Sequence, residues 1–202
     1  IHRTCDGNYL FLDIHHIVAD GTSLGIILND INRAYSGEKL EVEEYTSYDL
    51  ALDNRDALAS DAYKNAENYY KSVFENAGGS INFYPDKSGA APTAEMYHRE
   101  TSEFSVQDVK AFCKKHGITE NVFFISAFGI TLGKYNFRKD AVFTTIYHGR
   151  NDSRLSDTVG MLVKTLPVYC DFSGSTADCL NAVQQQLINS MNNDIYPFSQ
   201  IS

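Results

Sequence analysis

Apolar and polar positions alternate over residues 9–16, which places Leu10, Leu12, Ile14 and His16 on one face of a strand and Tyr9, Phe11, Asp13 and His15 on the other. The pattern then changes period. Leu24, Ile27, Leu28, Ile31 and Tyr35 recur at helical spacing, with Thr22 or Ser23 as the expected cap and Gly37 as the stop. A strand, a turn at Asp20 and Gly21, and a helix therefore open the chain.

Residues 37–58 are acidic and carry no clear period, so an irregular stretch is expected there. Ala62, Ala66, Tyr69, Tyr70, Val73 and Phe74 then line one face of a helix over 61–77, ended by glycines at 78–79. A short strand at 81–84 and a loop rich in Gly, Ala, Ser and Pro at 85–92 follow, then a strand at 96–104. Ser105 with Asp108 has the spacing of a capping box, and opens a helix that closes at Gly117. The segment 122–135 is apolar on almost every side and reads as a helix buried in the core. Strands at 141–147 and 162–169 precede a last helix, capped by Ser175 with Asp178 and carrying Leu180, Val183, Leu187 and Met191. Strands mixed with separate helices predict an α/β sandwich of sheet against helices.

Composition narrows the function. With 202 residues and 43% hydrophobic content the chain can bury a sizeable core. A net charge of -9 and no dense Lys/Arg cluster argue against nucleic acid as a partner. No apolar run reaches the length of a membrane span, and the first residues lack the apolar centre of a signal peptide. Cys5, Cys113, Cys170 and Cys179 are scattered without zinc-ligand spacing, so no metal is expected, and reduced thiols in a cytoplasmic protein are. The absent initiator Met suggests a piece of a longer chain.

The chemistry gathers at residues 15–21, His-His-Ile-Val-Ala-Asp-Gly. An imidazole at a strand end can accept a proton near neutral pH or hold an attacking amine. Asp20 can stabilise the turn or pair with a buried cation, and Gly21 is expected to let the backbone reverse without a side-chain clash. A competing motif overlaps it: Gly21, Ser23 and Gly25 match G-x-S-x-G between strand and helix, as in a hydrolase nucleophile elbow, although no histidine lies in a recognisable triad context.

The His-His-x-x-x-Asp-Gly heptapeptide resembles the third core motif of nonribosomal peptide synthetase condensation domains, within the chloramphenicol acetyltransferase-like superfamily. Further segments match in the family's order. Tyr48, Asp49, Leu50 and Ala51 resemble YxDFA, the Gly149-Arg150 pair resembles a Gly-Arg segment at a strand end, residues 159–167 resemble VGxFVNTLP, and residues 194–198 resemble a DYPF segment. Lys164 stands where the family usually has Asn, and replaces a neutral donor and acceptor with a cation. No glutamate accompanies the Gly-Arg pair, which favours condensation over epimerisation.

The resemblance implies a chloramphenicol acetyltransferase-like sandwich from which the first third of a domain is absent. Residues 1–37 would be the histidine-bearing unit, 38–92 a connection with one helix, and 93–202 the C-terminal half. It implies amide formation between an acyl or peptidyl donor and an aminoacyl acceptor, both delivered on the phosphopantetheine of carrier domains beside an adenylation domain. His16 would be catalytic, with His15, Asp20, Gly21 and Arg150 in support, Asp20 paired to Arg150, and Ser23 and Lys164 as possible channel residues. Taken alone the chain is expected to be inactive and able to dimerise through uncovered surface. Alternatives within reach are a coenzyme A-dependent acyltransferase, a noncatalytic carrier-docking domain and, last, a hydrolase using Ser23.

Overall fold

The computed structural model describes residues 2–75, 77, 96, 98 and 100–201, so the elements expected at 78–79, 81–84 and 85–92 lie outside the described residues. The chain forms two units. One comprises residues 1–63 and 146–164, the other 64–145 and 165–202.

In the first unit, β1 (His2–Arg3) and β2 (Asn8–Tyr9) make a short antiparallel hairpin with His2 opposite Tyr9. The expected strand over 9–16 does not continue beyond it. A strand persists where a neighbour takes its backbone groups, and among the described residues the backbone of 11–14 has no such partner. Its side chains are correspondingly uncovered, Leu10 at 51% and Phe11 at 81% exposure. Helix α1 (Gly21–Tyr35) follows and ends before Gly37, whose φ of 85° makes the left-handed turn. Its cap is Asp20 rather than Thr22 or Ser23: the carboxylate accepts from Ser23 N and the hydroxyl is used elsewhere.

A helix stands where irregular chain was expected. Helix α2 (Ser47–Ala57) starts with a reciprocal capping box between Thr46 and Asp49 and buries no residue, so it leaves no apolar stripe in the sequence. Gly21 also departs from expectation. It sits at the first position of α1, and a Cβ there would meet nothing within 4 Å, so the turn does not depend on its small size.

The second unit is built on an apolar core. Helix α3 (Asp61–Phe74), which begins at the end of the first segment, contributes Ala66 and Tyr70. Burial pushes the Tyr70 phenol up to about 12, and its OH donates to Ser190 O. Helix α4 (Val106–His116) has the predicted Ser105–Asp108 box and ends at Gly117 in the left-handed conformation. Helix α5 (Glu120–Tyr135) is buried on one face only: Val122, Ile125, Gly129 and Leu132 are covered, whereas Phe124 and Phe128 are about half exposed. Strands β3 (Asp140–Tyr147) and β4 (Lys164–Asp171) pair, and α6 (Thr176–Asn192), capped by Ser175, packs against α5. Gly129 is the contact with the sheet, since a Cβ there would stand 2.8 Å from Cys170 Cβ. No strand forms at 100–104, where the backbone bends. A strand at that point has no ladder partner among the described residues.

Candidate active site

The histidine turn is held by short local bonds. Val18 N donates to His15 O and Ile17 N to His15 Nδ1, both at 3.1 Å, so His15 spends its imidazole on its own backbone. His16 is exposed, and among the described residues its ring has no hydrogen-bond partner. It is the free imidazole of the pair.

Beneath the turn lies a buried ionic cluster. Arg150 Nη1 donates to Asp20 Oδ2 at 2.7 Å and Nη2 to Oδ1 at 3.1 Å, a bidentate pair between side chains only 5% and 0% exposed. The pairing expected across 130 positions is present. Arg150 also donates to Ser23 Oγ, Thr158 O and His148 O. Asp20 further accepts from Ser23 N, Ser23 Oγ and Leu162 N. Burial opposes ionisation of this carboxyl, but the bonds from Arg150, Ser23 and Leu162 outweigh it and hold Asp20 well below the usual carboxylate range. The cluster thus ties the start of α1 to residues 148–150 and 158–162.

Ser23 is wholly buried, with Oγ within 2.9 Å of Asp20 Oδ1 and within 3.0 Å of both Gly160 O and Gly160 N. It neither lines a channel nor offers a nucleophile, and none of its partners is a histidine. Glycines let the segments approach. Gly149 has φ of 69°, and a Cβ there would lie 1.9 Å from Leu162 O. Gly160 packs on Ser47 in the same way, and Thr158 Oγ1 donates to Tyr45 O. Lys164 is half buried at the start of β4, beside Gly149.

Ser23, Thr158, Gly160 and Leu162 are the members that pattern reading missed as structural parts of this site. The capping spacing of Ser23 was visible, but its bond to Gly160, 137 positions away, was not. A groove of about 960 Å³ runs along α1 between Thr22, Ile26 and Val159, and neither histidine nor Lys164 lines it. Among the described residues no His, Cys, Asp and Glu group is placed to hold a metal, and no helix is long and apolar enough to cross a membrane.

Bacitracin synthase 2 of Bacillus licheniformis is 28% identical over 199 residues, covering 95% of this chain and 8% of that protein. Tyrocidine synthase 3 of Brevibacillus parabrevis is 27% identical over 201 residues, covering 96% and 3%. Among solved structures, the SgcC5 protein from Streptomyces globisporus matches with a TM-score of 0.76 at 22% identity, over 93% of this chain and 44% of that one. The first condensation domain of the CDA synthetase matches with a TM-score of 0.73 at 17% identity, over 93% and 44%. The chain therefore spans less than half of these solved chains and a small part of the synthetases. Its α/β fold is theirs. The family model described as condensation domain matches residues 1–202, and the chain belongs to the condensation-domain family.

Proposed function

We propose that this chain carries the catalytic histidine of an amide-forming condensation domain in a peptide synthetase. The observation that supports it most is the exposed His16 standing four residues before a carboxylate clamped by Arg150. In this reading the donor acyl group arrives as a thioester on the phosphopantetheine of one carrier domain, and the acceptor amine on another, supplied by adjacent adenylation domains in the cytoplasm. The amine nitrogen attacks the thioester carbonyl, the C–S bond breaks, and the donor arm leaves as a thiol. His16 orients the amine or takes its proton as the nitrogen becomes cationic. Asp20 and Arg150 hold the turn, and neither enters the reaction.

The complete domain containing these residues, incubated with a loaded donor carrier and a loaded acceptor carrier, is expected to yield the condensed product on the acceptor by intact mass. Product formed from a free coenzyme A donor but not from a loaded carrier supports the stand-alone acyltransferase instead. No product from either, with carriers still bound, makes this a docking domain. The 202 residues alone are expected to yield none, since the solved relatives use more than as much chain again. The uncovered apolar residues around Phe11 and Ile17 favour self-association of the isolated chain.

A further inference from the structure

Three of the four cysteines lie in the apolar core of the second unit, and two of them meet there. Cys170 on β4 and Cys179 in the first turn of α6 are both buried, with their Sγ atoms 3.4 Å apart. Cys113 belongs to the same cluster, while Cys5 is exposed. We propose that Cys170 and Cys179 form a dithiol that a peroxide closes to a disulfide, an oxidation site that staples β4 to the start of α6.

Both sulfurs are carried on fixed backbone. Phe172 N donates to Lys139 O just past Cys170, and the Asp171 carboxylate accepts from Ser173 N in the connecting turn. The hydroxyl of Ser175 and the carboxylate of Asp178 lock the first turn of α6, where Cys179 lies. A disulfide needs the sulfurs at about 2 Å, so closure asks for a shift of about 1.4 Å, within the reach of side-chain rotation. On the strand side Gly129 gives Cys170 its room, because a Cβ there would stand 2.9 Å from Cys170 Sγ.

The chemistry balances with the peroxide as electron acceptor. One sulfur attacks the peroxide, the O–O bond breaks, and a sulfenic acid and water form. The second sulfur then attacks the first, the S–O bond breaks, the S–S bond forms, and a second water carries off the remaining thiol hydrogen. Either sulfur can attack first, because either thiol can donate in the 3.4 Å contact between them; that contact together with burial pushes the Cys170 thiol up. Because the pair is buried, the rate is set by local opening and is slower than oxidation of exposed Cys5.

The test uses the folded chain with Cys5→Ser, which removes the exposed competitor. Oxidation by hydrogen peroxide is followed by denaturation and alkylation with iodoacetamide. Closure lowers the mass by about 2 Da, the two thiol hydrogens, and leaves Cys113 as the residue that alkylates. Chymotrypsin cleaves after Phe172 and so separates the two cysteines, which stay linked through sulfur until reduced. The proposal is overturned if Cys170 and Cys179 both still alkylate after oxidation. A bond from either to Cys113, overoxidation of one without a bond, or a bond formed only in urea overturns it equally.

Discussion

Each of the two units is stabilised internally by different physics. The second has a continuous apolar core in which Val109, Val122, Ile125, Val168, Val183 and Leu187 are buried together. The first buries Asp20, Ser23, Thr158 and the guanidinium of Arg150 beside only a few apolar residues, Tyr147, Leu155 and Leu162, and leaves Phe11, Ile17, Val18, Leu24 and Leu28 substantially exposed. A polar cluster of this kind stabilises only as a complete set, since each member left alone is a buried group without a partner. An apolar core degrades in proportion to the volume removed. The unit that carries the histidines is therefore the one most sensitive to the loss of a single charge.

The largest effect follows from removing one side of the ion pair. Asp20→Ala is expected to destabilise the chain by about 3–5 kcal/mol, because Arg150 is left buried and uncompensated. Urea unfolding measures it, and a loss below about 1 kcal/mol, the range of a surface pair, breaks the comparison. The pH dependence carries a sign. The folded-state carboxyl of Asp20 titrates below its unfolded value, so its stabilisation is complete above about pH 4. It is lost as the pH falls from there towards the depressed folded value. The Asp20→Asn variant is expected to show a flatter acid limb than the parent chain.

Leu187→Ala should cost about 2–5 kcal/mol in the second unit, by lost transfer energy and a residual cavity. That loss is expected to be the same at pH 4 and pH 7, as measured by urea midpoints, because no charge is involved. A pH-dependent loss would show that the two units are not separable in this way. The smallest effect is at Gly21, where a Cβ meets nothing. Gly21→Ala is expected to leave stability unchanged or raise it by about 0.4–1 kcal/mol through the unfolded chain, and thermal unfolding distinguishes this from the loss that a required reversal at Gly21 produces.

The same division explains what the sequence disclosed. Helices α4 and α6 were readable because their caps, Ser105 and Asp108, and Ser175 and Asp178, sit within three residues of what they bond, and α5 because of its apolar run. The strand expected over 9–16 required a neighbour on at least one edge, and alternation says nothing about whether one is at hand. Helix α2 hid because it buries nothing, although the Thr46 and Asp49 spacing marked its start. At the site, the histidine heptapeptide was legible from its residues, and the match of Asp20 to Arg150 only from resemblance. Ser23, expected as a possible channel residue, is wholly buried instead. Its place follows from bonds to Gly160 that no local spacing encodes.

The central claim is that His16 performs chemistry while the cluster below it holds the turn, so the two must be separable. His16→Ala, made in the complete domain, removes an exposed ring without a hydrogen-bond partner among the described residues. Its unfolding free energy should stay within about ±0.5 kcal/mol of the parent, the range of a surface change. Carrier-bound product, followed by intact mass over the same time course, should fall by about 100-fold or more, the usual worth of a positioned acid or base. Undiminished product from a folded His16→Ala domain would contradict the account and leave the heptapeptide as a structural turn.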